Sequence, residues 1–156
     1  MQAEVETKTP RYSHTQRAPL CLILYGCAVA CIAIGWMVGD TPGIFIAAGV
    51  GLLIGMLAPC FHHLTVVDLD EVLAIRFGPV PLFRTTIRYA DIKKVEVGRT
   101  LILDGWGIHY SFRGGWVWNL WGLDCVVVRF KNGSTLRIGT DDATNLARFL
   151  GGKTSE

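Results

Sequence analysis

Residues 20–61 read LCLILYGCAVACIAIGWMVGDTPGIFIAAGVGLLIGMLAPCF, and Asp40 is the one charged side chain among them. Asp40 divides this stretch into two apolar runs, residues 20–38 and residues 44–61. Each run is close to the roughly 20 helical residues that cross about 30 Å of hydrocarbon. The proline and glycines around Asp40 favour a tight turn over one continuous helix. The stretch therefore predicts a transmembrane hairpin of two helices over residues 19–61.

Basic side chains lie on both sides of the predicted hairpin, whereas its connector has none. Lysine and arginine near membrane spans are enriched on the cytoplasmic side. We therefore expect both termini in the cytoplasm, with residues 1–18 as a cytoplasmic tail and the connector outside. The basic residues are Lys8, Arg11 and Arg17 before the hairpin, and Arg76, Arg84 and Arg88 after it.

Small residues recur every four positions in both predicted helices. This spacing places them on one helical face, and small side chains let two helix backbones approach closely. The pattern indicates a helix–helix contact, either within the hairpin or between copies of the chain, although glycine is also common in membrane helices generally. The residues are Cys27, Cys31, Gly35 and Gly39 in the first helix, and Gly43, Ala47, Gly51 and Gly55 in the second.

From Leu64 onward the apolar pattern changes to a period of two. Short segments rich in branched and aromatic residues, bounded by glycine or proline, are typical of strands. Asn132 and Gly133 suit the positive φ values of a tight hairpin turn between two such strands. The predicted strands include residues 72–78, 82–89, 94–99, 126–130 and 136–138.

The end of the chain changes again, to the spacing of one helix face. Thr140 or Asp141 is placed to cap this helix, and Gly151 is placed to end it. The signals together predict a mainly β domain over residues 64–152. We expect about seven antiparallel strands in a curved sandwich or barrel, closed at one end by the C-terminal helix. The residues at helical spacing are Ala143, Leu146, Ala147 and Leu150.

Four motifs in this domain carry a resemblance to a known family. The domain resembles the bacterial pleckstrin-homology-like domains that follow membrane helices. The resemblance implies a seven-stranded fold with a C-terminal helix, in a multi-pass protein of the bacterial inner membrane. It implies little about activity, because one fold serves many roles. The motifs are Arg88-Tyr89-Ala90-Asp91-Ile92, Gly105-Trp106-Gly107-Ile108, Gly115-Trp116-Val117-Trp118-Asn119 and Ile138-Gly139-Thr140-Asp141-Asp142.

Cys60, His62 and His63 are the one cluster with metal-ligand chemistry. Zinc sites usually have four protein ligands, or three and a water, and no second Cys-x-x-Cys or histidine pair accompanies this cluster. We interpret it as an interfacial anchor beside the second span. The sequence also lacks a nucleophile elbow, a Walker loop and an HExxH motif. We therefore expect no catalytic residues, no metal and no cofactor.

The distribution of charge excludes two further classes of protein. The formal net charge of +2 is too small to argue for nucleic-acid binding. Neither apolar run contains an ionisable Asp, Glu, Lys, Arg or His. Such groups mark ion paths and proton relays inside membranes, so their absence from the runs argues against a transporter.

Four tryptophans crowd the segment between residues 106 and 121, among several glycines, with Arg113 beside them. Tryptophan favours the depth of lipid headgroups, and it is also frequent in the hot spots of protein interfaces. A third possibility is that some of these rings fill the core of the domain. The candidate lipid or partner surface consists of Trp106, Arg113, Trp116, Trp118 and Trp121.

The loop at residues 68–71 argues against phosphoinositide binding, which the resemblance suggests. The site familiar from that fold uses basic residues around the first hairpin loop. Here the loop reads Asp-Leu-Asp-Glu, and its acids would repel a phosphorylated headgroup. A diffuse attraction to anionic lipid is still open, through Arg84, Arg88, Lys93, Lys94 and Arg99.

These features predict a non-enzymatic, membrane-anchored module at the cytoplasmic face of the bacterial inner membrane. We expect it to act as an adaptor or assembly component whose partners are membrane lipids and a protein, or a second copy of the chain. The alternative is a small sensor or regulatory subunit of a membrane complex, whose domain binds a peptide. An enzyme that uses Cys60, His62 and His63 is a third class.

Overall fold

The computed structural model describes residues 11–101 and 105–154. Near its start, two helices that are long and apolar enough to cross a membrane follow one another. They are α1 (Leu20–Val38) and α2 (Thr41–Leu57), and a short 3-10 turn, Ala58–Phe61, follows α2. The prediction of two apolar helices ahead of a β domain is confirmed.

The connector between α1 and α2 is shorter than predicted. Gly39 ends α1 with a left-handed backbone, φ 78°, which glycine adopts without steric cost. Asp40 then caps α2, because its carboxylate accepts a hydrogen bond of 2.9 Å from the backbone N–H of Gly43. As a result α2 already begins at Thr41, and Pro42 lies in its first turn, where a proline removes no helical hydrogen bond.

A strand that the sequence pattern does not predict precedes α1. This strand, β1 (Ser13–Arg17), pairs antiparallel with β2 (His63–Leu69), the first strand after the hairpin. Residues 13–17 therefore belong to the β domain, not to the tail of residues 1–18 in which the sequence analysis placed them. The strand gave no signal because its residues, SHTQR, are all polar and show no apolar alternation.

The first sheet has four strands in the order β1-β2-β3-β4. Its third strand, β3 (Val72–Gly78), has the predicted bounds, and β4 (Arg84–Arg88) is shorter than predicted. All the ladders of this sheet are antiparallel. His63 pairs with Gly78. The loop from β3 to β4 therefore begins beside the point where the chain leaves the hairpin.

The second sheet has five strands in the order β5-β8-β9-β7-β6. Strands β7 and β9 are parallel, and the other ladders are antiparallel. Across the described residues the domain thus has nine strands in two sheets that do not close into a barrel, which corrects the expected seven-stranded antiparallel arrangement. The strands are β5 (Ile92–Arg99), β6 (Gly107–Tyr110), β7 (Trp116–Asn119), β8 (Asp124–Phe130) and β9 (Thr135–Gly139).

The hairpin between β8 and β9 is confirmed at the predicted position. Gly133 has a φ of 85°, and its N–H donates to the carbonyl oxygen of Phe130 at 3.0 Å. Asn132 acts through its side chain, whose Oδ1 accepts a hydrogen bond of 2.9 Å from the backbone N–H of Ser134. One glycine in the left-handed region is therefore enough to close this turn.

The C-terminal helix, α3 (Ala143–Thr154), is longer than predicted. Its first helical hydrogen bond joins the N–H of Leu146 to the carbonyl of Asp142 at 3.1 Å, so Asp142 is the cap rather than one of the two residues before it. The prediction that Gly151 ends the helix is wrong, because the helix continues through it. Lys153, in the last turn, bonds to the turn between β2 and β3 and holds this end against the first sheet.

The hydrophobic core lies between the two sheets and against α3. Leu20, the first residue of α1, belongs to the same cluster. The hairpin and the β domain therefore share packing at their junction. The largest fully buried side chains are Phe77, Leu64, Leu73, Ile75, Leu120, Ile138, Leu146 and Leu150.

Candidate functional site: an apolar cleft between the sheets

A cleft of about 510 Å³ opens on the side of the sandwich where β4 faces β6 and β7. It exists because β4 and β6 each end a sheet and do not pair with each other. Most side chains around it are apolar or carry only a hydroxyl group. They are Leu82, Phe83, Thr85 and Ile87 on one wall, Ile108, Trp116 and Trp118 on the other, and Phe130, Ser134, Thr135 and Leu136 between them.

Trp116 and Trp118 supply the aromatic wall of this cleft. Residues two apart on a strand point to the same face, and Val117 between them is fully buried on the opposite face. Trp118 is half-buried against the core, with its ring 5.8 Å from that of Phe77. Trp116 is 53% exposed and meets the ring of Tyr110 edge-on at 6.0 Å. Trp118 therefore forms the packed inner part of this wall. Trp116 forms its exposed outer end, which we call the lip of the cleft.

The opposite wall is the free edge of β4. The N–H of Phe77 donates to the carbonyl of Phe83 at 2.9 Å, which makes these two residues a hydrogen-bonded pair. Such pairs alternate along an antiparallel ladder. The backbone groups of Arg84 and Thr86 therefore point away from β3, toward the edge. Both residues also line the cleft. The cleft thus combines an apolar floor with exposed backbone donors and acceptors.

Two arginines lie at the outer side of this edge. Arg76 and Arg84 are direct cross-strand partners in the β3–β4 ladder, and both are exposed. Like charges directly opposite one another destabilise a sheet. Arg84 lines the cleft, whereas Arg76 borders a separate depression on the outer face of the sheet, together with Arg84. The outer face of the sheet next to the cleft therefore carries two positive charges.

The other two tryptophans form a separate structure. Trp106 and Trp121 stack with ring centroids 4.1 Å apart and an interplanar angle of 19°. The carbonyl of Trp121 accepts a hydrogen bond of 3.2 Å from the side chain of Gln16, in β1. The Nη2 of Arg113 donates to the backbone oxygen of Arg99 at 2.9 Å. The four tryptophans grouped as one surface in the sequence thus lie in two separate places.

The small residues of the two helices face each other within the hairpin. Gly35 lies against Ala47, and a Cβ on Gly51 would be 2.8 Å from the carbonyl oxygen of Ala28. A Cβ on Gly55 would lie 3.8 Å from the Cβ of Ala28. The contacting residues of α1 are therefore Ala28, Ile32 and Gly35, while Cys27 is exposed. Gly39 and Gly43 lie at the connector. Gly39 ends α1, and the N–H of Gly43 donates to the Asp40 cap of α2.

The two histidines after the hairpin lie close together, just beyond Cys60. The Nδ1 atoms of His62 and His63 are 3.2 Å apart, and Cys60 is buried. Burial lowers the pKa of His63, and the neighbouring His62 and Arg17 lower it further. Across residues 11–101 and 105–154, no three His, Cys, Asp or Glu side chains are grouped closely enough to hold a metal ion.

The acidic turn after β2 has a structural role that the sequence did not reveal. Asp68 is buried and accepts a hydrogen bond of 2.7 Å from the hydroxyl of Tyr89. Burial and this hydrogen bond raise the pKa of Tyr89 above its ordinary value. The side chain of Asp68 is thus buried and hydrogen-bonded within the domain, whereas Asp70 and Glu71 are exposed. Tyr89, in the Arg88–Ile92 motif, was the one residue in the sequence that could have indicated this contact with Asp68.

No protein-family model matches this chain, and a comparison with curated proteins finds no match. The resemblance to pleckstrin-homology-like domains accordingly stays a prediction that rests on the four sequence motifs. The proposed function is therefore based on the geometry of the cleft and of the hairpin junction.

Proposed function

We propose that this chain is a membrane-anchored, non-catalytic adaptor whose β domain binds an extended segment of a protein partner in the cleft between β4 and β7. The observation that carries the proposal is the free edge of β4 beside an apolar cleft with an exposed tryptophan. An extended peptide can add a strand to such an edge, gaining affinity from backbone hydrogen bonds and specificity from alternate side chains.

The junction of hairpin and domain supports the anchoring half of the proposal. Arg17, at the end of β1, pairs with His63, at the start of β2. The chain therefore leaves the β domain through α1 and returns through α2 at neighbouring positions on the same side of the domain. The basic residues that flank the hairpin favour the cytoplasm for that side. We place the domain at the cytoplasmic face of a bacterial inner membrane, in keeping with the family resemblance.

The chemistry of the cleft supports a particular class of segment. Side chains of an added strand point alternately inward and outward. The inward ones would contact Trp118 and Ile87, which are apolar. The outward ones would lie near Arg76 and Arg84, which favour carboxylates. We therefore propose a segment with alternating apolar and acidic residues.

A peptide-binding sensor or regulatory subunit would use the same cleft, so this observation supports that alternative equally. An assembly of identical chains through the small-residue face has less support. Gly35 and Gly51 already contact Ala47 and Ala28 of the same hairpin, and two helices cannot share one close crossing with a third.

The test measures the binding of short labelled peptides to the full chain in lipid nanodiscs, by fluorescence anisotropy. One peptide alternates valine with glutamate, and the matched peptide has lysine in place of glutamate. We expect the acidic peptide to bind more tightly. Thr86→Pro removes the outward N–H of β4, whereas Thr86→Ala keeps it, so only the proline variant should weaken binding severalfold.

A second pair of variants tests the aromatic lip of the cleft. Trp116→Ala should weaken binding of the acidic peptide, whereas Phe112→Ala should not. Phe112 is 92% exposed but is not among the residues that line the cleft. Equal binding by the Thr86→Pro and Thr86→Ala proteins, or no preference for the acidic peptide, would contradict the proposal.

A further inference from the structure

Exposed apolar side chains gather at the end of the β domain from which the hairpin emerges. One group is the loop from β3 to β4, where Val80 and Leu82 are 46% and 63% exposed. The other is the stacked pair of Trp106, which is 46% exposed, and Trp121, which is half-buried. We call these four residues the apolar rim.

The strand register places the first group beside the end of α2. Gly78, which precedes the loop, pairs with His63, and His63 follows the hairpin directly. Phe83, at the end of the loop, has its ring 5.6 Å from that of Phe61, the last residue of the 3-10 turn after α2. Val80 and Leu82 therefore lie near the level at which the chain leaves the second apolar helix.

The tryptophan pair lies beside the start of α1. The carbonyl of Trp121 is bonded to Gln16, which lies in β1 shortly before Leu20, where α1 begins. The two parts of the apolar rim thus lie beside β2 and β1, the two strands that bracket the hairpin. They lie at its base rather than at the far end of the domain.

The junction is packed too tightly for the domain to turn away from this position. Leu20 belongs to the core of the β domain, and Ala58 and Cys60, in the 3-10 turn after α2, are fully buried. The ring of Phe61 also packs edge-on against Phe77 at 5.4 Å. The orientation of the hairpin therefore fixes the orientation of the rim.

We infer that the apolar rim inserts into the headgroup region of the bilayer that the hairpin spans, so that the domain is docked on the membrane surface. Continuity with the apolar helices identifies the bilayer as the surface that covers these residues. Tryptophan is enriched at that depth, and burial of apolar surface there is favourable. The inference rests on the proposed membrane anchoring, but it does not depend on peptide binding.

Three leucines make a matched set for the test. Leu52 is an exposed residue of α2, Leu82 belongs to the rim, and Leu69 is exposed at the opposite end of β2 from His63. Each is changed to Cys in the full chain and labelled with a fluorophore. The background carries Cys27→Ala and Cys31→Ala, since the other three cysteines are buried. The proteins are placed in nanodiscs whose phospholipid carries a quencher near the headgroup end of the acyl chain.

We expect the label at position 82 to be quenched severalfold more than the label at position 69, and to approach the label at position 52. Iodide added to the water should quench in the reverse order. If the label at position 52 is quenched but that at 82 behaves like that at 69, the docking inference is overturned while the anchoring stands. If the label at position 52 is not quenched either, both the anchoring and the docking are overturned.

Discussion

Lys153, in the last turn of α3, has its Nζ 3.6 Å from a carboxylate oxygen of Asp68, whose side chain is 1% exposed. The same Nζ donates to the backbone oxygen of Asp70 at 3.0 Å and lies 4.9 Å from the centre of the Tyr89 ring. One lysine therefore joins the C-terminal helix, the turn after β2 and the tyrosine that follows β4.

Removal of this lysine should destabilise the fold. Lys153→Met leaves the Asp68 carboxylate buried without its cation, although the hydroxyl of Tyr89 still donates to it. We expect a loss of about 1–3 kcal/mol in the free energy of unfolding, measured by denaturant unfolding of the full chain in detergent. Lys94→Met is the control, since its ion pair with Glu96 is exposed, and it should cost much less. Equal losses in the two variants would contradict a buried role for Lys153.

The raised pKa of Tyr89 predicts a loss of stability at alkaline pH. Burial and the hydrogen bond to Asp68 favour the protonated phenol in the folded state. Above the ordinary tyrosine pKa of about 10, the unfolded chain loses this proton first, so the free energy of unfolding falls as pH rises. The contribution is fully present below that pH.

Tyr89→Phe should make this alkaline decline shallower and should lower stability at neutral pH, because the hydrogen bond is lost. Tyr110→Phe serves as the control, since Tyr110 is exposed and lies in β6, which is not in the sheet that contains Asp68. The free energy of unfolding, measured for both variants from neutral pH to above about 10, checks the prediction. An alkaline slope that Tyr89→Phe leaves unchanged would exclude this tyrosine as its source.

The close crossing of the two helices gives a prediction with a matched control. A side chain at Gly51 would meet the carbonyl of Ala28 and the side chain of Ile32, whereas the space around Gly49 is open. Gly51→Leu should destabilise the hairpin by about 1–3 kcal/mol through overpacking, and Gly49→Leu should have little effect. Thermal unfolding in detergent compares them. Equal stability of the two variants would mean that the helices do not cross at Gly51.

The strand before the hairpin predicts an alternating pattern of hydrogen exchange. The N–H of Asp68 donates to the carbonyl of Tyr12, so hydrogen-bonded positions recur at His14 and Gln16 of β1. The amides of these two residues should exchange slowly, and that of Thr15, which points to the free edge, should exchange fast. Uniformly fast exchange across residues 13–17 would instead describe the unpaired tail that the sequence suggested.

The sequence predicted the elements whose signal is local. Two charge-free runs identify α1 and α2, and a short segment rich in branched and aromatic residues that ends at a glycine–proline pair identifies β3 over Val72–Gly78. The β-hairpin at Gly133 could be predicted equally well, because the turn residues themselves indicate the turn. These elements need no knowledge of what lies next to them in space.

The features that were missed depend on partners far away in the chain. β1 is polar and becomes a strand only because β2, on the other side of the hairpin, pairs with it. The cleft exists because β4 and β6 end different sheets and do not pair, and no spacing in the sequence reveals this. For the same reason the tryptophans looked like one surface, although Trp116 and Trp121 lie in separate environments.

Substitutions of the two tryptophans of the cleft should distinguish a role in packing the domain from a role in binding the peptide. Trp118 is half-buried and its ring lies 5.8 Å from that of Phe77, so Trp118→Ala should leave a cavity and cost about 3 kcal/mol or more. Trp116 is mostly exposed, so Trp116→Ala should change the free energy of unfolding by only about 0.5 kcal/mol. Denaturant unfolding of each variant, beside the peptide-binding measurement, distinguishes the two roles. Because Trp116 contributes little to the fold, lost binding in that variant can be assigned to the cleft itself. A large loss of stability on Trp116→Ala would make it a packing residue and remove the lip from the proposed site.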